Sequence, residues 1–502
     1  MDMRVSEGKG VETPQAPGAR PLALRVRDAL FWRSGTQILA QLIMWASTFL
    51  VIRMLNPADY GLFAMAQVLL TFLGLWNGYG VASALIQRAE LDDHTVRQAF
   101  GMLLLLNGAL AVAQLLLAPL VAAYFRQPEV ADLLRVLAVV YLATPLIALP
   151  NALLMRDIDY RRQAKANLLS AVVGALTSLW GAYHGWGVWT LVAASLALWW
   201  SRALGMVIAA GGIVRPSFRF GGAGQLARFG GAIMITQLFW FVQSQADVFL
   251  AGRRLSAHEL GIYTTSLFLA QILAAKFVPP VNEVAFAAYS RLQHDRRALA
   301  GAFVKAVRAV MLVAMPFSLG LAAVAEPLVL TMLGPKWGEV AGPVRLLALA
   351  MPFVTLQILF APATNGLGRP AVATRVGLVG ALLMPAAFWV GLHGGLLGLA
   401  ASWLLAAPLF AAATAAMSLP HIGAGWGDLG RALVPGGAAS LLMAAVVLGA
   451  ESIVPPLAPA ILLTGGVALG VLVYGGLLLL FARPLLRELY ALTRGQLAPD
   501  PA

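Results

Sequence analysis

Two stretches of the chain, 200 residues apart, carry the same pattern. Residues 53–63 read RMLNPADYGLF, and residues 253–263 read RRLSAHELGIY. Six positions correspond in the two stretches: an arginine, a leucine, an acid, a glycine and the two apolar or aromatic residues after that glycine. Gln37 falls on Gln237 at the same offset, and Arg135 pairs with Arg345 once the offset has drifted by a few residues. The chain therefore contains an internal repeat.

The composition around this repeat is that of a membrane protein. Apolar residues make up 60% of the 502 positions and charged residues only 11%, against about 25% charged residues in an average soluble domain. A membrane-spanning helix needs about 20 mostly apolar residues. We therefore expect an all-α polytopic membrane protein with about 14 transmembrane helices. They are predicted at 30–52, 61–86, 99–124, 131–154, 167–187, 188–211, 229–252, 261–282, 304–325, 341–366, 370–392, 395–417, 432–453 and 458–482.

The distribution of positive charge predicts the orientation. If the basic N-terminal tail is cytoplasmic and every span crosses once, 27 of the 35 Lys and Arg residues lie on the cytoplasmic side and 7 on the outer side. This asymmetry obeys the positive-inside rule. It predicts cytoplasmic N- and C-termini, and it explains the net charge of +13 without nucleic acid as a partner.

The repeat spans about six helices, and an even number brings both copies into the membrane from the same side. Two parallel six-helix bundles facing a central cleft, with two further C-terminal helices, are the expected architecture. The predicted organisation is a tail at 1–28, bundles at 29–211 and 229–418, linkers at 212–228 and 419–431, helices 13 and 14 at 432–482, and a second tail at 483–502.

Several short motifs resemble those of a known family. Residues 55–62, LNPADYGL, resemble the signature of bacterial polysaccharide transporters, and residues 246–263 resemble the seventh-helix region of Wzx-type oligosaccharide flippases. Further similar motifs lie at 187–192, 289–292, 333–337 and 365–370, so the resemblance covers about residues 25–420. Helices 13 and 14 carry no such motif.

The resemblance implies the multidrug/oligosaccharidyl-lipid/polysaccharide flippase fold. It also implies movement of an undecaprenyl-diphosphate-linked oligosaccharide from the cytoplasmic to the periplasmic leaflet of the bacterial inner membrane, for lipopolysaccharide or exopolysaccharide biosynthesis. This function suggests three kinds of partner: membrane lipids, a polysaccharide polymerase and glycosyltransferases.

The residues themselves argue against several other classes of protein. The chain has no cysteine, which excludes thiol nucleophiles and cysteine-ligated metals. None of the lysines is followed by Ser or Thr, as a phosphate-binding loop of an ATPase requires. The longest predicted outer loop, about residues 326–340, is too short to build a glycosyltransferase or ligase site. We therefore expect no enzyme activity, no metal and no cofactor.

Polar residues at helical spacing mark candidate cleft-lining faces. Gln237, Ser244 and Asp247 share one face of the seventh predicted helix, and Gln37 and Gln41 share one face of the first, together with Arg33. Since the two helices are repeat equivalents, both faces are expected to line the cleft. Hydrogen bonding between helices is the alternative explanation for the glutamines and for Asp247. Asp247, a charge inside the membrane, is the candidate for coupling to protons or to membrane potential.

Four further cations have two interpretations each. Lys276 and Arg375, near the inner ends of predicted helices 8 and 11, either contact the anionic diphosphate or anchor their helices at the interface by snorkelling. Arg53 and Arg253, at equivalent outer helix ends, either anchor at the interface or serve as a gate or an outer diphosphate contact.

Two other functions fit the same broad fold. A multidrug/toxin antiporter that moves cations outward would favour an acidic, aromatic cavity, whereas cations outnumber acids in this chain. A membrane scaffold for polysaccharide assembly would tolerate any substitution in the cleft.

Overall fold

The computed structural model describes residues 22–78, 85, 92–156, 159–219, 224–455 and 457–481. Side chains at the starts of two helices, 22–34 and 224–235, lie outside this description, as does that of residue 481. Within the described residues the chain is helical, and eleven segments are long and apolar enough to cross a membrane. One of them, Pro370–Ile422, has 53 residues and holds two successive long helices. The all-α, multi-pass class is confirmed, and the number of crossings stays a prediction.

The N-terminal half consists of the described helices up to Ala209. They are α1 (Leu22–Met54), α2 (Pro57–Gly74), α3 (Asp93–Phe125), α4 (Glu129–Leu137), α5 (Val139–Arg156), α6 (Tyr160–Tyr183) and α7 (Trp189–Ala209). Helix α1 packs on α6, α6 on α7, and α3 and α7 on α5.

The C-terminal half runs from Gly224 to Ile422. Its helices are α8 (Gly224–Arg254), α9 (Ala257–Lys276), α10 (Val278–Arg291), α11 (Arg296–Ala323), α12 (Ala325–Met332), α13 (Ala341–Ile358), α14 (Phe360–Gly366), α15 (Pro370–Gly391) and α16 (Gly395–Ile422). Two further helices follow, α17 (Trp426–Ile453) and α18 (Pro459–Phe481). Helix α17 packs on α11 and on α18.

Three predicted spans are interrupted helices in the structure. The span predicted at 131–154 divides at Ala138, the span at 261–282 divides at Phe277, and the span at 341–366 divides at Leu359. The second break precedes Pro279 and Pro280, which cannot donate backbone hydrogen bonds to a continuing helix. Helix α2 also begins at Pro57, four residues before its predicted start, because proline is favoured in the first turn.

Candidate functional site: the cleft and the contact between the two halves

The two repeated stretches start helices α2 and α9 in the same way. The backbone N–H of Asn56 donates to Asp59 Oδ2 at 2.9 Å, and the backbone N–H of Ser256 donates to Glu259 Oε2 at 2.9 Å. Each acid therefore satisfies an N–H at its own helix start, as in a capping box. The shared acid of the repeat thus has a local structural role in both halves.

The shared glycine of the repeat brings the halves together. Helices α2 and α9 cross so closely that a Cβ at Gly61 would lie 1.9 Å from the carbonyl oxygen of Ala257. A Cβ at Gly261 would lie 1.7 Å from the carbonyl oxygen of Pro57. Only glycine permits this approach of two backbones. Equivalent residues of the two halves therefore meet at one end of the molecule, which we call the closed end.

Two side chains of the C-terminal half bond to backbone carbonyls near the end of α1 and so stabilise the closed end. The Nζ of Lys336 donates to the carbonyl oxygen of Met54 at 2.8 Å, and Nε1 of Trp337 donates to that of Ile52 at 2.8 Å. Trp337 is fully buried, and its ring lies edge-on to Tyr60 with centroids 5.6 Å apart. The short 3-10 helix at 335–340 thereby docks onto the N-terminal half.

The two candidate gate arginines both reach across to the opposite half. Arg53 donates to the carbonyl oxygen of Thr331 at 3.3 Å, and Arg253 donates to that of Tyr124 at 2.6 Å. Arg253 also lies 5.1 Å from the centroid of the Tyr124 ring, within cation–π range. The structure thus brings both residues to the closed end in equivalent positions. A gating role for them stays a proposal.

The predicted cleft-lining residues divide by exposure. Gln37 and Gln237 are exposed, and Gln41 is half-buried. Ser244 is also half-buried, and its Oγ donates to the carbonyl oxygen of Phe241 at 3.3 Å within its own helix. The side chain of Arg33 lies outside the described residues.

The structure buries Asp247 inside the C-terminal half, with 1% of its surface exposed. Tyr263 Oη donates to Asp247 Oδ2 at 2.8 Å, and Trp403 Nε1 donates to Tyr263 Oη at 2.9 Å. Asp247 Oδ1 also accepts from the backbone N–H of Val248 at 2.8 Å. Its position therefore differs from the predicted exposure to the cleft, because Tyr263 of α9 contacts it directly and Trp403 of α16 in turn donates to Tyr263. These hydrogen bonds offset the cost of removing a carboxyl group from water.

Lys276 and Arg375 are both exposed, and within the described segments neither forms an ion pair. Lys276 ends helix α9 immediately before the break at Phe277. Arg375 lies in the second turn of α15. The described residues contain no group of three His, Asp or Glu side chains placed to hold a metal ion.

Sequence reasoning missed Tyr263, Trp403 and Tyr124. Tyr263 is the repeat equivalent of Phe63. The change from Phe to Tyr adds the hydroxyl group that donates a hydrogen bond to Asp247. This difference between the two copies is visible in the sequence and could have identified Tyr263 as a polar residue of the site. Nothing in the sequence linked Trp403 to Tyr263, from which it is separated by 140 residues.

Comparison with known sequences and structures places these features in a family. Residues 50–342 match the family described as "Polysaccharide biosynthesis protein". The chain is 27% identical over 463 residues to the "Succinoglycan biosynthesis transport protein ExoT" of Rhizobium meliloti, which covers 88% of this chain and 90% of that protein. It is 23% identical over 298 residues to the "Lipopolysaccharide biosynthesis protein WzxC" of Escherichia coli, covering 59% of this chain and 60% of that protein.

Solved structures show the same fold. The structure entitled "Lipid II flippase MurJ, inward closed conformation" superposes with a TM-score of 0.72 at 14% identity, over 89% of this chain and all of that one. An inward-facing multidrug resistance MATE family transporter superposes with a TM-score of 0.59 at 17% identity, over 76% and 94% of the two chains. At these identities the likeness concerns the fold alone.

Proposed function

The chain belongs to the polysaccharide biosynthesis protein family, and from that premise we propose that it is a flippase for a lipid-linked oligosaccharide. The substrate of this proposal is an undecaprenyl-diphosphate-linked oligosaccharide. It moves by alternating access from the cytoplasmic to the periplasmic leaflet of the bacterial inner membrane. The names of the relatives support membrane transport in polysaccharide biosynthesis.

The observation that carries the proposal is the contact between the repeat-equivalent glycines. Hydrogen bonds between the halves cluster at this end, at Met54, Tyr124 and Thr331. Gln237 and Lys276 stay exposed. A transporter closed at one end and accessible elsewhere has the geometry that alternating access requires. Because α2 and α9 are repeat equivalents, their crossing is a natural pivot.

The charge on the accessible surface fits an anionic substrate. Lys276 and Arg375 have no carboxylate partner among the described side chains, so a diphosphate can take that position. Arginine binds phosphate groups through two parallel hydrogen bonds, and lysine acts as a point charge. The multidrug antiporter has no comparable support, since the likeness to the MATE structure concerns the fold alone.

The charge asymmetry and the buried acid suggest the direction of transport and the group that couples it to an energy source. The excess of Lys and Arg on one side favours capture from the cytoplasm and release at the closed end once it opens. Asp247 is the candidate for coupling to protons or to membrane potential, acting through its hydrogen bond to Tyr263.

A charge series at Lys276 tests the proposal. Cells lacking the chain are complemented with Lys276→Arg, Lys276→Leu or Arg375→Leu at matched protein levels, and lipid-linked oligosaccharide on the cytoplasmic leaflet is measured. We expect the arginine variant to export normally and both leucine variants to accumulate the precursor. Lys165→Leu is the matched control, because Lys165 is also exposed and predicted to be cytoplasmic. Normal export by both leucine variants would leave snorkelling as the explanation for these cations.

A further inference from the structure

An apolar groove crosses the junction between the two halves near the closed end. Its volume is about 600 Å³, within the range of sites that bind small molecules. Helix α2 contributes Phe72, α3 contributes Val121 and Tyr124, and α8 contributes Phe241 and Phe249. Its surface is almost entirely apolar. In a membrane such a groove takes a hydrocarbon chain.

Aromatic contacts across the junction shape the groove. The rings of Tyr124 and Phe249 stack with centroids 4.5 Å apart and an angle of 12° between their planes. Tyr124 Oη also donates to the carbonyl oxygen of Phe249 at 3.3 Å. Farther along the groove, Phe72 and Phe241 lie 5.3 Å apart. Because each pair joins one half to the other, the groove changes shape when the halves move.

Three arginines belong to the segments that border the groove at Tyr124: Arg126 lies two residues after Tyr124 in the chain, and Arg253 and Arg254 are the last residues of α8, which also lines the groove. Arg253 binds Tyr124 as described, Arg254 lies 4.1 Å from the ring centroid of Trp389, and Arg126 caps the end of α3. All three are exposed, and in the part of the chain that the structure describes none pairs with a carboxylate. An apolar groove with cations at its rim matches a lipid with an anionic headgroup.

The charge of the rim favours one lipid over the bulk phospholipids. Lipid tails are as apolar as the groove, so burying a tail there gains little over leaving it in the bilayer. Selectivity must therefore come from the headgroup. A diphosphate offers more anionic oxygens to three arginines than a phosphodiester does, and such bonds are charge-assisted.

We propose that the groove and the three arginines form an exit subsite, which holds the polyprenyl chain and the diphosphate of the translocated product. The inference rests on the proposed function. As the closed end opens, Arg253 must release the carbonyl oxygen of Tyr124, and the diphosphate replaces it as the acceptor. The product is thereby guided into the leaflet at this end.

Photocrosslinking in proteoliposomes containing the full chain tests the subsite. The probe is radiolabelled undecaprenyl diphosphate, and p-benzoylphenylalanine replaces Leu120, which lines the groove and is exposed. The matched control carries the same replacement at Leu116, one turn away on α3 and equally exposed, but not part of the groove. We expect labelling at position 120 to exceed that at 116. Unlabelled undecaprenyl diphosphate should compete, and an equal amount of phosphatidylglycerol should not.

Substitution of the rim separates headgroup binding from tail binding. Arg253→Gln and Arg254→Gln should each weaken competition by undecaprenyl diphosphate about tenfold, because a charge-assisted hydrogen bond is lost. Arg254→Gln is informative even if Arg253→Gln disturbs the closed end, since Arg254 contacts Trp389 in its own half.

Equal labelling at positions 116 and 120, or equal competition by phosphatidylglycerol, overturns the exit subsite. Precursor export in cells is measured for the same variants, so that the two proposals fail separately. Normal export without preferential labelling refutes only the subsite. A chain that is dispensable for export refutes the flippase.

Discussion

The crossing of α2 and α9 should not tolerate a side chain at either glycine, because two interatomic distances leave no room for a Cβ atom. Alanine at Gly261 would place its Cβ 1.7 Å from the carbonyl oxygen of Pro57, and alanine at Gly61 would place its Cβ 1.9 Å from that of Ala257. Carbon and oxygen atoms need about 3 Å, so the helices must separate by about 1 Å at the crossing. Neither obstacle is a flexible side chain that can turn away.

The expected cost follows from this overlap. Adding a methyl group to a well-packed contact costs about 1–3 kcal/mol. A bias of that size shifts an equilibrium between two states by about 5- to 150-fold. We therefore expect Gly61→Ala and Gly261→Ala each to lower the population of the conformation in which this end is closed, and to reduce export. Gly74→Ala is the matched control, because it lies on α2 with nothing within 4 Å of an added Cβ.

Spin labels on opposite halves measure the effect directly. Positions 54 and 339 are exposed and near the closed end, and the chain has no native cysteine to compete for the label. Both glycine variants should show a larger fraction of long distances than the Gly74→Ala protein. Distance distributions that match the control in both variants, with normal export, would show that this crossing does not close the transporter.

Three further predictions concern topology, charge and the buried acid. Cysteine at position 161 should react with an impermeant maleimide only from the cytoplasmic side, and cysteine at position 59 only from the periplasmic side; the reverse pattern would overturn the orientation. With Lys276→Gln, precursor should accumulate as it does with Lys276→Leu, since charge rather than hydrogen bonding is required; normal export would contradict this. Tyr263→Phe removes the hydroxyl donor of Asp247 and should lower stability by about 1–3 kcal/mol, seen as a lower unfolding temperature in detergent; an unchanged temperature would show that the bond contributes nothing.

The fold was largely predictable because its determinants are local. Apolar length predicts membrane spans, although the span predicted at 261–282 divides at Phe277, just before Pro279 and Pro280. The repeat also identified Gly61 and Gly261 as equivalent residues. It did not predict that they touch each other, since internal symmetry does not specify which faces of two helices meet.

The site was less predictable, because burial depends on distant residues. Helical spacing grouped Asp247 with Gln237 and Ser244 on one face, yet spacing gives a direction and not the neighbours that cover it. Tyr263 donates to Asp247 from another helix, and Trp403 donates to Tyr263 from a third. The groove at the junction was missed for the same reason, since its walls come from both halves of the chain.

The proposed function requires that the protein move a lipid-linked oligosaccharide across the bilayer. It is tested most directly by reconstituting the purified chain with radiolabelled undecaprenyl-diphosphate trisaccharide and oxidising the accessible sugar with periodate under conditions in which it does not cross the bilayer. Sugar from the inner leaflet should become accessible with the wild-type chain, and far more slowly with Gly261→Ala. Accessibility equal to that in protein-free vesicles, at verified protein incorporation, would contradict the proposed flippase activity.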